Sequence, residues 1–297
     1  MKAIVPGRLV VALLSLAAAW ACSAAAPGPG TQPAAGTQPS AGTRPALRAG
    51  QSFSIQFPDM PPTFAELVEP NGVKPQMTVF LPKNYDPARK HPLLVFLNGG
   101  SGGQGGNPGV ARGLSQDRDF ICVSLPLFHK AAPGSPGYNY IILAADGNYM
   151  WPLHKRMLAE LERAVPNMDP NRQVLGGFSN GAHAMAALID ESDGEVARRF
   201  SAFLFVEGGG HLVHYDLIKG KPFLMVSSNA KSRPRAQQIC DAAKAAGAAA
   251  SLIFENVGKH DFPFSSYPAV REWLRGPAIG QPAPAASSRP ASGPAGS

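Results

Sequence analysis

A chain of 297 residues has room for one large domain or two ordinary ones. Its formal net charge of +7 falls to +5 when Lys2 and Arg8 of the N-terminal segment are set aside, and no run of Lys and Arg interleaved with aromatics remains. That balance argues against a nucleic-acid partner, and Cys22, Cys122 and Cys240 are too few and too scattered for a disulfide framework.

Met1 to Ala21 join a short basic start to the apolar run Leu9 to Ala19 and end on small residues, the order of a secretory signal peptide. The apolar run is shorter than the roughly 20 residues that a membrane span needs. Ala19-Trp20-Ala21-Cys22 resembles a bacterial lipoprotein cleavage site, with Ala19 in place of leucine and a bulky Trp20. Lipidation at Cys22 would tether the protein to a membrane and simple cleavage would release it, so export is expected on either path. Residues 22–50 repeat Pro, Gly, Ala, Thr and Gln with almost no large apolar side chain, which predicts a disordered tether, and residues 276–297 have the same character. One folded domain is left, at residues 51–275.

Within that domain Phe53 to Phe57 and Met77 to Leu81 read as opening antiparallel strands, and Leu93 to Leu97 is continuously apolar, as a strand buried on both faces should be. Further strands are predicted at 120–125, 173–178, 202–206, 223–226 and 252–254. Helices are predicted near 110–117, over 152–165 with Pro152 in the first turn, and near 181–190, 234–246 and 267–274. Strands alternating with helices imply an α/β fold, a mainly parallel sheet with helices on both faces. Cys122 and Cys240 fall in a strand and a helix, where buried small hydrophobes are expected.

Three motifs carry chemistry. Gly177-Phe178-Ser179-Asn180-Gly181 fits Gly-x-Ser-x-Gly between a predicted strand and a predicted helix, the setting of a nucleophile turn tight enough to require small flanking residues. Gly258-Lys259-His260-Asp261 follows the last strand and offers His260 as general base. Leu97-Asn98-Gly99-Gly100-Ser101 ends an early central strand, where the backbone N–H groups of Gly99, Gly100 and Ser101, with that of Asn180, could hold an oxyanion. The glycines here lack the Gly-Lys-Ser/Thr ending of a phosphate loop, so no nucleotide is expected.

Taken in this order, the motifs from Met77 to Leu274 resemble those of the α/β-hydrolase superfamily, and the general organisation is similar to that of secreted polyhydroxybutyrate-depolymerase and feruloyl-esterase relatives. The resemblance implies a serine hydrolase with Ser179 as nucleophile, His260 as base, no cofactor, and a small-molecule or polymer ester as substrate. It departs at Asn98, where relatives often have histidine, and at the acid. Relatives carry a carboxylate after the strand matching Phe223 to Val226, and here the residues are Ser227-Ser228-Asn229-Ala230-Lys231-Ser232. Glu207, at the end of the preceding strand, is the preferred acid, with capping of the Gly208-Gly209-Gly210 turn as its structural alternative. Asn229 could fix the histidine tautomer but would stabilise imidazolium poorly. Asp261 and Asp241 are poorer candidates, one adjacent to His260 and the other inside a helix.

Glu207, His211 and His214 also invite a metal reading, which solvated loop histidines explain equally well, so no metal is expected. The connection between Val206 and Pro222 is too short for a large lid and predicts an open site. The aromatics Phe128, Tyr138, Tyr140, Tyr149 and Trp151 either wall a pocket or pack their loop onto the domain. A noncatalytic binding protein on the same scaffold is the alternative function, and it rests on the missing acid.

Overall fold

Apolar runs set the strands: β1 (Ser52–Gln56), β2 (Gln76–Phe80), β3 (His91–Leu97), β4 (Ile121–Ser124), β5 (Met168–Phe178), β6 (Ala202–Val206), β7 (Pro222–Ser227) and β8 (Ala249–Phe254). The computed structural model describes residues 46–59, 75–100, 107–128, 141–276 and 279. The leader, Cys22, most of the expected tether and tail, Ser101, Tyr138 and Tyr140 lie outside the described residues. The strands form one sheet in the order β1-β2-β4-β3-β5-β6-β7-β8. The β1–β2 and β2–β4 pairings are antiparallel and every later pairing is parallel.

Among the described residues six helices cover the sheet: α1 (Gly109–Ser115), α2 (Gly147–Ala164), α3 (Asn180–Glu191), α4 (Glu195–Arg199), α5 (Arg233–Ala245) and α6 (Tyr267–Arg275). Successive side chains of a strand face opposite ways, so β3 feeds two cores. Leu93, Val95 and Leu97 pack with Met157 and Leu161 of α2, Met185 of α3 and Ile239 of α5. Leu94 and Phe96 pack with Leu114 of α1 and with Val270 and Leu274 of α6. Burial on both faces explains why the central strands read as unbroken apolar runs.

Several expectations need correction. Helix α2 begins at Gly147, so Pro152 lies inside the helix and not in its first turn. The early start is possible because Gly147 has no side chain to collide with α3: a Cβ there would lie 2.2 Å from the Ala187 carbonyl oxygen. Strand β5 starts five residues before the expected Gln173, at Met168, which pairs with His91 across a local irregularity. The folded body also reaches past 51–275, because Leu47 packs against the first core and Ile279, 3% exposed, joins the second. The short α4 was not anticipated. Trp151 and Phe128 are buried, with the Trp151 Nε1–H donated to Glu195 at 2.7 Å, so these two rings pack the domain. Cys122 and Cys240 are free and buried, and burial pushes the Cys122 thiol up to about 12.

His154 of α2 is 1% exposed and lies 2.7 Å from the Pro126 carbonyl through Nε2. Burial lowers its pKa from 6.5 to about 4, so the ring is neutral and donates that hydrogen bond. Between those two values the unfolded chain binds a proton that the folded protein refuses, so this contribution to stability is whole above 6.5 and is lost as pH falls towards 4. His183 has the same direction and window. The free energy of unfolding in urea should therefore drop across this window, with His154 supplying at most about 3 kcal/mol. His154→Gln, which can still donate to Pro126, should flatten the slope, and an unchanged slope would refute this origin.

Candidate active site

Backbone ladders of the sheet continue past the strand ends and carry the site. At the end of β5 the Ser179 N–H donates to the Val206 carbonyl at 2.8 Å, and at the end of β6 the Glu207 N–H donates to the Val226 carbonyl at 3.0 Å. Beyond β8 the Glu255 N–H reaches Ser227 at 3.0 Å and the Val257 N–H reaches Ser228 at 2.8 Å. Each residue is thus held by the neighbouring strand.

Ser179 adopts φ 54° and ψ −116°, a conformation rare for a residue with a side chain. Its carbonyl accepts from the Ala182 and His183 N–H groups in the first turn of α3, which leaves the hydroxyl outside the helix ladder. The turn closes only on glycine. A Cβ at Gly181 would lie 2.1 Å from the Leu97 carbonyl oxygen, and one at Gly177 would lie 2.5 Å from that of Gly181.

Ser179 Oγ is 2.7 Å from His260 Nε2, and His260 Nδ1 is 3.1 Å from Glu207 Oε2. A carboxylate only accepts, so Nδ1 carries the ring proton and Nε2 is the bare nitrogen facing the serine hydroxyl. The His260 ring stacks on Phe178 at 5.3 Å between centroids, and its side chain is 53% exposed. Hydroxyl, imidazole and carboxylate therefore stand in series at an open edge of the sheet.

Glu207 is buried and has φ 50°. Burial alone would raise its pKa. Hydrogen bonds from His260, the Ser228 backbone, Ser232 and Ser227 outweigh that cost and hold the carboxyl below its usual range. Oε1 accepts from the Ser228 N–H and from Ser232 Oγ at 2.8 Å, while Oε2 accepts from Asn229 Nδ2 at 3.2 Å. These donors lie on the loop after β7, not on the Gly208-Gly209-Gly210 turn that Glu207 could have capped.

Asn229 is not a partner of His260. Its Oδ1 accepts from the Lys231 and Ser232 N–H groups, each at 3.0 Å, which turns the amide nitrogen towards Glu207. Asp261 pairs with Lys259 at 2.8 Å and Asp241 accepts from Gln237 within α5. His214 Nδ1 lies 3.3 Å from Asp190, and the His211 ring packs on His183 with centroids 4.8 Å apart. Among the described residues no group of three or more His, Cys, Asp or Glu side chains is placed to hold a metal.

Of the oxyanion candidates, Ser101 lies outside the described residues, whereas Gly99, Gly100 and Asn180 meet beside Ser179. Buried Asn180 donates Nδ2–H to the Gly100 carbonyl at 2.7 Å and accepts the Ile142 N–H on Oδ1 at 2.7 Å. Its side chain fastens the loop after β3 to the start of α3. Asn98 instead turns to the Ser124 hydroxyl at 3.0 Å and the Asn107 carbonyl at 3.2 Å.

Ser228 has no catalytic signature in the sequence, yet it ties Glu207 to the His260 loop. Its N–H holds Glu207, while its hydroxyl donates to the Lys259 carbonyl at 2.8 Å and accepts the Asp261 N–H at 3.1 Å, gripping the backbone on both sides of His260. A hydroxyl in the segment where an acid was sought is the one signal that could have drawn attention to it.

Strand order, the tight serine turn and helices on both faces define the α/β-hydrolase fold. The chain is similar in structure to a thermostable esterase, with 19% identity over 75% of this chain and 62% of the other and a TM-score of 0.51. A fungal esterase from Rhizomucor miehei aligns with 12% identity over 77% of this chain and 85% of the other, with a TM-score of 0.50. The chain spans less than two thirds of the thermostable esterase, and at these identities the likeness is one of fold. No protein-family model matches the sequence, and no curated protein is similar to it in sequence.

Ser228→Ala keeps the N–H on Glu207 and removes the grip on the His260 loop. The rate of Ser179 phosphonylation by a fluorophosphonate should fall about 10- to 100-fold, as expected for ångström-scale misplacement of a reacting group. An unchanged rate would show that the loop holds itself.

Proposed function

We propose that the protein is a serine hydrolase that cleaves carboxylic esters through an acyl-enzyme on Ser179. The observation that carries this reading is the series Ser179 Oγ, His260 Nε2, His260 Nδ1 and Glu207 Oε2, at 2.7 Å and 3.1 Å. His260 takes the Ser179 proton as the oxygen attacks the ester carbonyl. The oxyanion is received by the Asn180 N–H and the glycine segment at Gly99 and Gly100. The tetrahedral adduct then collapses, His260 gives its proton to the leaving alcohol, and the acyl group stays on Ser179. Water attacks the acyl carbonyl with His260 again as base, and the carboxylic acid leaves. Glu207 remains ionised throughout and stabilises the imidazolium.

Exposure of the His260 side chain, 53%, and the short β6–β7 connection support soluble or bulky esters and polymer ends over a deeply enclosed lipid chain. Export, with release or with tethering through Cys22, is proposed from the N-terminal segment alone. The noncatalytic alternative rested on a missing acid, and Glu207 at hydrogen-bond distance from His260 removes that support.

A fluorophosphonate probe should label the mature protein and not Ser179→Ala, and p-nitrophenyl esters of short acids should be turned over. A folded protein that neither labels nor turns over ester would overturn the proposal. Glu207→Gln should lower kcat by up to about 10⁴ with little change in KM, as the loss of a triad carboxylate does elsewhere.

A further inference from the structure

The hydrogen bonds of His260 leave one motion of its ring weakly controlled. Nε2 meets Ser179 Oγ at 2.7 Å and Nδ1 meets Glu207 Oε2 at 3.1 Å, so the ring is pinned at two points on one line. Tilting about that line keeps both nitrogens in place while turning the Nε2 lone pair and the Nδ1–H away from their partners, and hydrogen bonds weaken with angle. The grip of Ser228 acts on the backbone either side of His260, not on the imidazole. With the side chain 53% exposed, packing on one face has to hold the ring level.

Phe178 supplies that face. Its ring stacks on the imidazole with centroids 5.3 Å apart and 30° between planes, within the range that aromatic pairs favour. The same ring lies against the oxyanion segment: a Cβ at Gly99 would be 2.9 Å from Phe178 Cδ1 and 3.2 Å from Cε1, so glycine is what lets the two approach. Phe178 is anchored in turn, because it packs against the second core beside Phe96 and Phe262. Phe262 follows His260 by two residues and stacks on Phe96 at 6.1 Å, so ring and histidine loop share one foundation. The Gly-x-Ser-x-Gly turn restricts its glycines and leaves this position free, so an aromatic here is a property of this chain.

We propose that Phe178 is a positioning residue, which holds the His260 imidazole level between Ser179 and Glu207 and seats Gly99 beside Ser179. This role rests on the hydrolase reading above. It counts most once Nε2 has taken the Ser179 proton, because the ring is then a cation on an aromatic face, which attracts it. Phe178 thereby favours the charged arrangement of the reaction over the resting one, and only such a difference raises kcat.

The test compares the unaltered protein with Phe178→Leu and Phe178→Met, which keep apolar bulk without a ring, and with Phe178→Tyr, which keeps the ring. On short p-nitrophenyl esters the first two should lower kcat roughly 3- to 30-fold with little change in KM, and Phe178→Tyr should retain the original kcat. A raised KM at unchanged kcat would make Phe178 a wall of the substrate pocket and overturn the proposal, as would equal kcat in all four proteins. A second readout needs no turnover. An aromatic face shifts the ring protons of a stacked imidazole upfield, so the His260 signals, identified by their loss in His260→Gln, should move downfield in Phe178→Leu and stay in Phe178→Tyr. His260 signals that do not move in Phe178→Leu would overturn the stack. Should Phe178→Leu fail to fold, Phe178→Met carries both readouts. If the unaltered protein neither labels with fluorophosphonate nor turns over ester, the hydrolase reading fails and the NMR result still decides whether Phe178 holds the ring. If it labels and Phe178→Leu labels equally fast, the positioning role fails alone.

Discussion

The contact between His260 Nδ1 and Glu207 Oε2 is the constraint around which the edge of the sheet is arranged. A carboxylate as buried as Glu207 would take up a proton unless several donors faced it. They come from His260, from Ser227 at the end of β7, and from Ser228, Asn229 and Ser232 in the loop between β7 and α5. One side chain at the end of β6 therefore ties together the loops that follow β7 and β8. Neutral Asn229 at the head of that β7–α5 loop fits the same logic, since a second carboxylate there would compete with Glu207 for its donors and raise its pKa.

The sheet contributes more than a platform. Ser179 hangs from β6 and Glu207 from β7, while the approach to His260 hangs from the end of β7. Ser179, Glu207 and His260 inherit the register of the parallel ladder, so their spacing is fixed by the same hydrogen bonds that hold the strands. Two residues with side chains, Ser179 and Glu207, adopt positive φ at this edge. Such conformations persist only where the surroundings over-determine them. Around Ser179 the Gly181 contact with Leu97 and the Asn180 bridge to Gly100 and Ile142 do so, and around Glu207 its hydrogen bonds do.

Much of this was legible in the residues. Continuous apolar runs such as Leu93 to Leu97 and Ala202 to Val206 marked the central strands, because burial on both faces leaves no polar phase to misread. The Gly-x-Ser-x-Gly turn announced Ser179 because its sterics restrict composition at fixed spacing. What failed to show depended on contacts distant in sequence. Helix α2 starts before Pro152 because Gly147 meets Ala187, forty residues on, and no local rule contains that contact. The roles of Ser228 and Ser232 were hidden because any serine can make such hydrogen bonds, and only the fold determines which ones do. Asn229 drew attention as a substitute acid, yet its amide is turned towards Glu207 by the Lys231 and Ser232 N–H groups.

Placing Glu207 at the end of β6 also bears on how such a chain can diversify. The stretch immediately after Glu207 passes close under Ser179: a Cβ at Gly208 would lie 2.5 Å from the Ser179 carbonyl oxygen, and one at Gly209 would lie 2.3 Å from the Phe205 ring. Long insertions at that point would displace Glu207 and Ser179 together, so the β6–β7 connection is a poor place to graft a new cover. Libraries aimed at new substrates would do best to leave residues 207–210 untouched.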